Sequence, residues 1–224
     1  MAHIAPDPSA QPALSVAERL DPSRTALIVV DAQNDFCHPD GACARQLGAD
    51  LSQVARAIPR LGLLLEGARE AGVLAVFIKS IYDDRYLSPV LRDQYVRRGL
   101  RDICQTGEWG SEFYGDISPD VGRGEPVIVK HRYNAFHSTE LDVTLHDRSI
   151  NGLVVAGFLT SVCVESTARD AFFRGYYTSI ASDAAAEFDP ELHDSTLRLF
   201  DRSFGPVLSV DEILGLWARN PVSP

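Results

Sequence analysis

The sequence predicts a three-layer α/β/α fold, with a parallel β-sheet covered by helices on both faces. Short continuous apolar runs such as Ala26–Val30 and Leu153–Ala156 mark strands buried on both faces. Segments with apolar residues at three- and four-residue steps lie between them. The two patterns alternate along most of the chain, which calls for right-handed βαβ crossovers.

The elements follow in order. Residues 1–20, rich in Ala, Pro and Ser, read as a flexible N-terminal arm, and 21–224 as a single domain. Thr25–Val30 is the first strand and ends at Asp31. Leu51, Val54, Ile58, Leu61 and Leu65 share one face of a helix, with Pro59 as the site of a kink or break and Gly72 as its stop. Val73–Ser80 is strand two and Val127–Lys130 strand three. Leu141–Asp147 is a short helix, Gly152–Gly157 strand four and Val162–Arg174 a helix. Tyr177–Ser182 is strand five, Glu191–Phe204 a helix and Pro206–Val210 a short strand six. A last helix spans Asp211–Trp217, capped by Asp211 or Ser209. Residues 82–124 break the rhythm; a long insertion in a compact domain usually forms a lid or a pocket wall.

Composition narrows the function. The 224 residues carry 45% hydrophobic and 23% charged side chains, a balance that supports one sizeable core. A net charge of −10 without a basic stripe argues against a nucleic-acid partner. No apolar stretch reaches the roughly 18 residues that would span a membrane, and the N-terminus has neither the basic start nor the apolar run of a signal peptide. Four cysteines without a CxxC pair fit free thiols in a cytoplasm.

Ligands of open α/β sheets bind beyond the carboxyl ends of the strands. Asp31 ends strand one, Lys130 ends strand three, and Cys163 lies shortly after strand four. If Thr160 caps the following helix, Cys163 falls in its first turn, where free N–H groups and a neighbouring Lys130 lower a thiol pKa. Asp31 then takes the thiol proton and returns it to a leaving amine. Each residue alone has a plainer reading: a helix-start cysteine as a small buried hydrophobe, a strand-end aspartate as a cap, a strand-end lysine as a solvated charge.

Three segments carry a resemblance: TALIVVDAQNDF (Thr25–Phe36), VIVKHRYNAF (Val127–Phe136) and GFLTSVCVESTARD (Gly157–Asp170). Together they resemble the isochorismatase-like cysteine hydrolases, over about Thr25 to Val210. The resemblance implies a six-stranded sheet in the order 3-2-1-4-5-6. It also implies a catalytic triad of Asp31, Lys130 and Cys163, and a cis peptide at Phe158–Leu159. The oxyanion hole would be formed by the N–H groups of Leu159 and Cys163.

Nicotinamidases of this family carry an Asp-x-His metal motif after strand two; SIYDDRYL (Ser80–Leu87) has no histidine there, so neither a metal nor another cofactor is expected. Cys163 points to C–N cleavage rather than to the vinyl-ether hydrolysis of isochorismatases, which lack that cysteine. GEWG (Gly107–Gly110) together with KHRY (Lys130–Tyr133) looks most like the branch of ureidoacrylate amidohydrolase and other ureido and carbamoyl hydrolases. That branch makes Phe36, Trp109, Tyr133 and Gln33 candidate substrate-binding residues, with Gln33 alternatively orienting Asp31 or satisfying local backbone. Phe136, His131 and His137 are as readily core or surface groups, and Cys37, Cys43 and Cys104 are structural. A small amide or ureide substrate and a homodimer or homotetramer complete the expectation; a vinyl-ether hydrolase and a thiol-based redox protein are the alternatives.

Overall fold

The computed structural model describes residues 13–219. Its chain order is α1 (Val16–Arg19), β1 (Thr25–Val30), α2 (Asn34–Cys37), α3 (Ala42–Leu47), α4 (Ser52–Ala71), β2 (Leu74–Ser80), α5 (Pro89–Arg98), β3 (Val127–Lys130), α6 (Leu141–His146), β4 (Gly152–Phe158), α7 (Glu165–Phe173), β5 (Tyr177–Ala186), α8 (Pro190–Ser203), β6 (Val207–Leu208) and α9 (Val210–Trp217). The six strands form one parallel sheet in the order β3-β2-β1-β4-β5-β6.

All six residues of β1 are buried, as expected of a strand covered on both sides. Leu27 and Val29 join the hydrophobic layer containing α4 and α9 side chains such as Leu61, Leu65, Ile213 and Trp217. Ala26, Ile28 and Val30 join the opposite layer, with Leu141, Leu145, Ala168, Ala171 and Phe200 from α6, α7 and α8. Alternate side chains of a strand point to opposite faces, so one apolar run supplies both cores. Strand β4 lies beside β1, and its penultimate residue, Gly157, has a φ of 109°. A β-carbon there would lie 2.0 Å from the Val30 carbonyl oxygen, so only glycine lets the two central strands approach just before Asp31.

Several expectations need correcting. Of the predicted arm, residues 1–12 lie outside the described residues, but Val16–Arg19 is a helix with a Ser15–Glu18 capping box, and Leu20 is 2% exposed. The domain therefore begins before residue 21. Helix α4 runs through Pro59, because buried Val54, Ala57, Leu61, Leu64, Leu65 and Ala68 on both sides of it hold one face on the sheet. Strand β5 continues to Ala186 after a register shift opposite Val155–Gly157; its Asp183-Ala-Ala-Ala tail lacks the β-branched residues that mark strands. The 82–124 insertion contains α5, started by Ser88 and Pro89 and stopped by left-handed Gly99. Among the described residues, no helix is long and apolar enough to cross a membrane.

Candidate active site

Asp31 directly follows β1 with φ 50°. A left-handed residue other than glycine costs on the order of 1–2 kcal/mol, and here the turn carries the carboxylate off the strand toward β2 and β3. Ser80 ends β2 and lies in register with Lys130, the last residue of β3. Lys130 therefore reaches back across the end of β2 to the end of β1. Its Nζ lies 2.7 Å from Asp31 Oδ2 and donates to Ser80 Oγ at 2.8 Å. Ser80 Oγ donates to Asp31 Oδ1 at 2.9 Å, and the Tyr82 hydroxyl is 3.0 Å from it. Asp31, Ser80 and Lys130 are all fully buried. A buried ammonium needs partners for its three protons; here Asp31, Ser80 and the Arg132 carbonyl at 3.1 Å supply them.

The thiol completes the cluster. Cys163 Sγ is 3.4 Å from Lys130 Nζ, and Cys163 is 4% exposed. It does not occupy the first turn of an α-helix. Thr160–Val164 forms a single π-helical turn, and α7 begins after it. Such turns are frequent at functional sites. Thr160 is drawn away from capping because its hydroxyl pairs with His193 Nδ1 at 2.9 Å. Ser161 gives both its N–H and its hydroxyl to Glu187 Oε2, at 3.2 and 2.6 Å. The Phe158–Leu159 peptide bond before the turn is cis.

Burial governs the protonation of the cluster. It pushes the Cys163 thiol up to about 12, with Asp31 adding to the rise, and Lys130 offsets only part of it. The expectation of a lowered thiol pKa is thus reversed, because loss of hydration outweighs the nearby ammonium. Burial by itself would lower the pKa of Lys130, but Asp31 and Cys163 together raise it, so the ammonium keeps its charge. The Lys130 ammonium thus stands against Asp31, beside a thiol that burial keeps protonated.

Cys163 opens into a cavity with about 400 Å³ of empty space, its mouth included. Phe36, Tyr82, Tyr95, Leu159 and Val162 line it, together with Tyr133 and Arg98. A second concavity, walled by Val16, Phe172 and Tyr177, lies away from the triad and contains no cysteine or carboxylate among its lining residues.

An isochorismatase-domain family model matches residues 25–212. The chain belongs to the isochorismatase family. A ureidoacrylate amidohydrolase of Methylobacterium radiotolerans is 33% identical over 219 residues, covering 90% of this chain and 84% of that relative. A cysteine hydrolase of Pseudomonas syringae pv. phaseolicola superposes with a TM-score of 0.77 at 28% identity, over 89% of this chain and 94% of the other. An N-carbamoylsarcosine amidase of Thermoplasma acidophilum gives a TM-score of 0.68 at 28% identity, over 84% and 97% of the two chains. The chain is thus an isochorismatase-family hydrolase.

Within this isochorismatase-family site, Asp31, Lys130 and Cys163 come together, and Phe36 and Tyr133 line the cavity. Two other candidates do not. Trp109 is 49% exposed, stands edge-on to His38 with ring centres 4.9 Å apart, and lines a different, open cleft. Gln33 is fully buried; its amide donates to the Ser80 and Ser111 carbonyls at 3.0 and 2.9 Å and accepts from the Ser80 N–H at 2.8 Å. It therefore braces Ser80, and through Ser80 the carboxylate of Asp31.

His131 Nδ1 lies 2.7 Å from the Ile81 carbonyl oxygen, with its ring stacked on Tyr86, and His137 is exposed. Phe136 is core. Cys43, read as purely structural, is part of the cavity wall. Ser80 and Arg98 escaped the sequence reading. The signal for Ser80 was its place at the end of the strand between Asp31 and Lys130. Arg98 belongs to a helix whose placement the sequence does not reveal. Where nicotinamidases carry their metal motif, Asp83 accepts from Thr106 and Arg85 while Asp84 faces Arg92. Among the described residues, no three His, Cys, Asp or Glu side chains group as a metal site.

Proposed function

We propose that the protein is a cysteine amidohydrolase that cleaves the C–N bond of a small amide, ureido or carbamoyl compound through a thioester. The observation that carries this reading is that the Lys130 ammonium lies 2.7 Å from Asp31 and 3.4 Å from Cys163, whose side chain lines an apolar cavity. The names of the similar ureidoacrylate amidohydrolase and N-carbamoylsarcosine amidase support the substrate class. Four free cysteines, all buried, suit the cytoplasmic location that goes with this reading.

The resting thiol is neutral, so the nucleophile forms when substrate arrives. Asp31 takes the Cys163 proton; its carboxylate is fully buried, with Oδ2 2.7 Å from the Lys130 ammonium. The sulfur adds to the carbonyl carbon, and the N–H groups of Leu159 and Cys163 receive the oxyanion. The C–N bond breaks as the amine takes the proton back from Asp31. Water then hydrolyses the thioester, Asp31 serving again as base. Lys130 keeps a positive charge beside whichever of sulfur and carboxylate is ionised, and the three groups titrate as a unit.

The test is an ammonia-release screen over small amides, ureides and carbamoyl compounds, with Cys163→Ser in parallel. Release by the wild type, and its loss in a variant that still binds substrate, is the expected result. A variant of undiminished activity would instead favour vinyl-ether-type hydrolysis without a covalent step. Peroxide consumption without ammonia release would favour a redox thiol.

A further inference from the structure

Four charged side chains are buried among the described residues: Asp31, Asp35, Lys130 and Glu187. Asp31 and Lys130 belong to the triad, and Asp35 is taken up by the Ala42 and Cys104 N–H groups. Glu187, 4% exposed, has no part in the chemistry described so far. It follows the last residue of β5, and because Ala186 is in register with Phe158 it leaves the sheet beside the turn that carries Cys163. Its partners are neutral donors: the Ser161 N–H and hydroxyl on Oε2, at 3.2 and 2.6 Å, and the Phe188 N–H on Oε1 at 3.0 Å. A carboxylate is costly to bury, and here its hydrogen bonds go to the start of the nucleophile's turn.

The winding of that turn shows what they secure. The Leu159 carbonyl receives the N–H groups of Val162 and Val164, both at 3.1 Å. In an α-helix that carbonyl would take the N–H four residues on, which is that of Cys163. The π-helical winding goes from the third residue to the fifth and leaves the Cys163 N–H off the Leu159 carbonyl. Rewinding to an α-helix would shift Ser161, which Glu187 grips by both backbone and side chain.

We propose that Glu187 is a positioning residue of the reaction: by holding Ser161 it keeps the turn wound past Cys163, so that the Cys163 N–H stays available to the oxyanion. The inference rests on the amidohydrolase reading, whose oxyanion it concerns. A carboxylate suits the task because one oxygen accepts from both Ser161 donors and its charge strengthens each bond.

The experiment compares wild type, Glu187→Met, Glu187→Gln and Ser161→Ala in three assays. The first is ammonia release from small amides and ureides. In Glu187→Met kcat should fall about 10²-fold; in Glu187→Gln, whose amide oxygen still accepts, roughly tenfold; and in Ser161→Ala, which keeps the N–H bond, about threefold, with KM within about twofold throughout. The second is alkylation of Cys163 by iodoacetamide, read on the Cys163 peptide by mass spectrometry. Alkylation forms no oxyanion, so its rate should stay within about twofold of wild type. The third is protection of Cys163 from that alkylation by benzaldehyde. The aldehyde carbon bonds to sulfur, the thiol proton passes to the carbonyl oxygen, and that oxygen lies where the oxyanion would. The benzaldehyde concentration giving half protection should rise about tenfold in Glu187→Met.

Undiminished kcat in all three variants overturns the proposal. So does a loss of hydrolysis matched by equal losses in alkylation and affinity, which would leave Glu187 a structural anchor only. Ser161→Ala, the mildest change, decides the matter if Glu187→Met does not fold. If the wild type releases no ammonia yet protection by benzaldehyde follows residue 187, the amidohydrolase reading falls and the positioning role stands. If ammonia is released while neither kcat nor protection follows residue 187, the positioning role falls alone.

Discussion

The floor of the Cys163 cavity consists of strand ends, whereas its roof is a long insertion tied down by side chains. Asp31, Ser80 and Lys130 stand in a row because β1, β2 and β3 are hydrogen-bonded neighbours whose ends are fixed by register. The roof, α5 and the loops around it, is held differently. Asp35 accepts from the Ala42 N–H at 2.9 Å and the Cys104 N–H at 2.6 Å. Gln46 exchanges two hydrogen bonds with the backbone of Arg101, and Asp83 takes the N–H and hydroxyl of Thr106. On the proposed function, chemistry falls to the part whose geometry the whole sheet enforces, and selection of substrate to a part held by a handful of local ties. Floor substitutions should change kcat, and roof substitutions chiefly KM.

The largest effect tests the floor. Cys163→Ala, Asp31→Asn and Lys130→Met should each lower kcat by about 10³-fold or more, and the double variants should lose little beyond the single ones, because the three groups act together. Steady-state kinetics with a binding assay checks this; a triad variant that loses only affinity would break the comparison. Ser80→Ala comes next. It removes the hydroxyl that Lys130 donates to and that donates to Asp31, and should cost about 1–3 kcal/mol of stability in urea melts, with a fall of roughly ten- to a hundredfold in kcat and a nearly unchanged KM.

On the roof side, Asp35→Asn sets an amide NH₂ against the Cys104 N–H in place of a carboxylate oxygen. It should raise KM more than it lowers kcat and destabilise by about 2 kcal/mol. A subtler contrast lies in alkaline solution. Cys43 in the wall and Cys163 on the floor are both pushed up to about 12, first of all by burial. Between the ordinary thiol value of 9.0 and about 12, the unfolded chain has released these protons while the folded one retains them. Stability therefore falls as pH rises through that window, by up to about 1.4 kcal/mol per pH unit for each thiol. Chemical denaturation from pH 8.5 to 11 should show the slope become shallower in Cys43→Ala. The smallest effect is expected of Trp109→Ala, within about twofold in kcat/KM, since the indole stands outside the cavity; a large loss would extend the roof to the outer cleft.

The same division explains what could be read in advance. The floor was legible because buried strands leave continuous apolar runs and because strand-end positions follow from counting residues. Asp31 and Lys130 were placed that way. Ser80 was not, since nothing about a serine marks it until the order of strands makes it the one between them. The roof was illegible because its anchors are contacts between a side chain and a distant backbone, such as Asp35 with Cys104 across 69 positions. No periodicity records such ties, so Trp109 was assigned to the cavity and Arg98 overlooked. The thiol's pKa was misjudged for a similar reason: the ammonium was visible in the sequence, while the degree of burial that outweighs it was not.

The register that aligns Ser80 with Lys130 has a consequence for how this domain can diverge. Successive residues of a strand face opposite sides, so inserting or deleting a single residue within β2 or β3 would turn the serine or the lysine to the far face. Between Gly107 and Gly124 no strand passes and the chain can lengthen or shorten without that penalty. Descendants of this sequence should accordingly differ in length around the cavity's rim while keeping the residue count of its central strands constant.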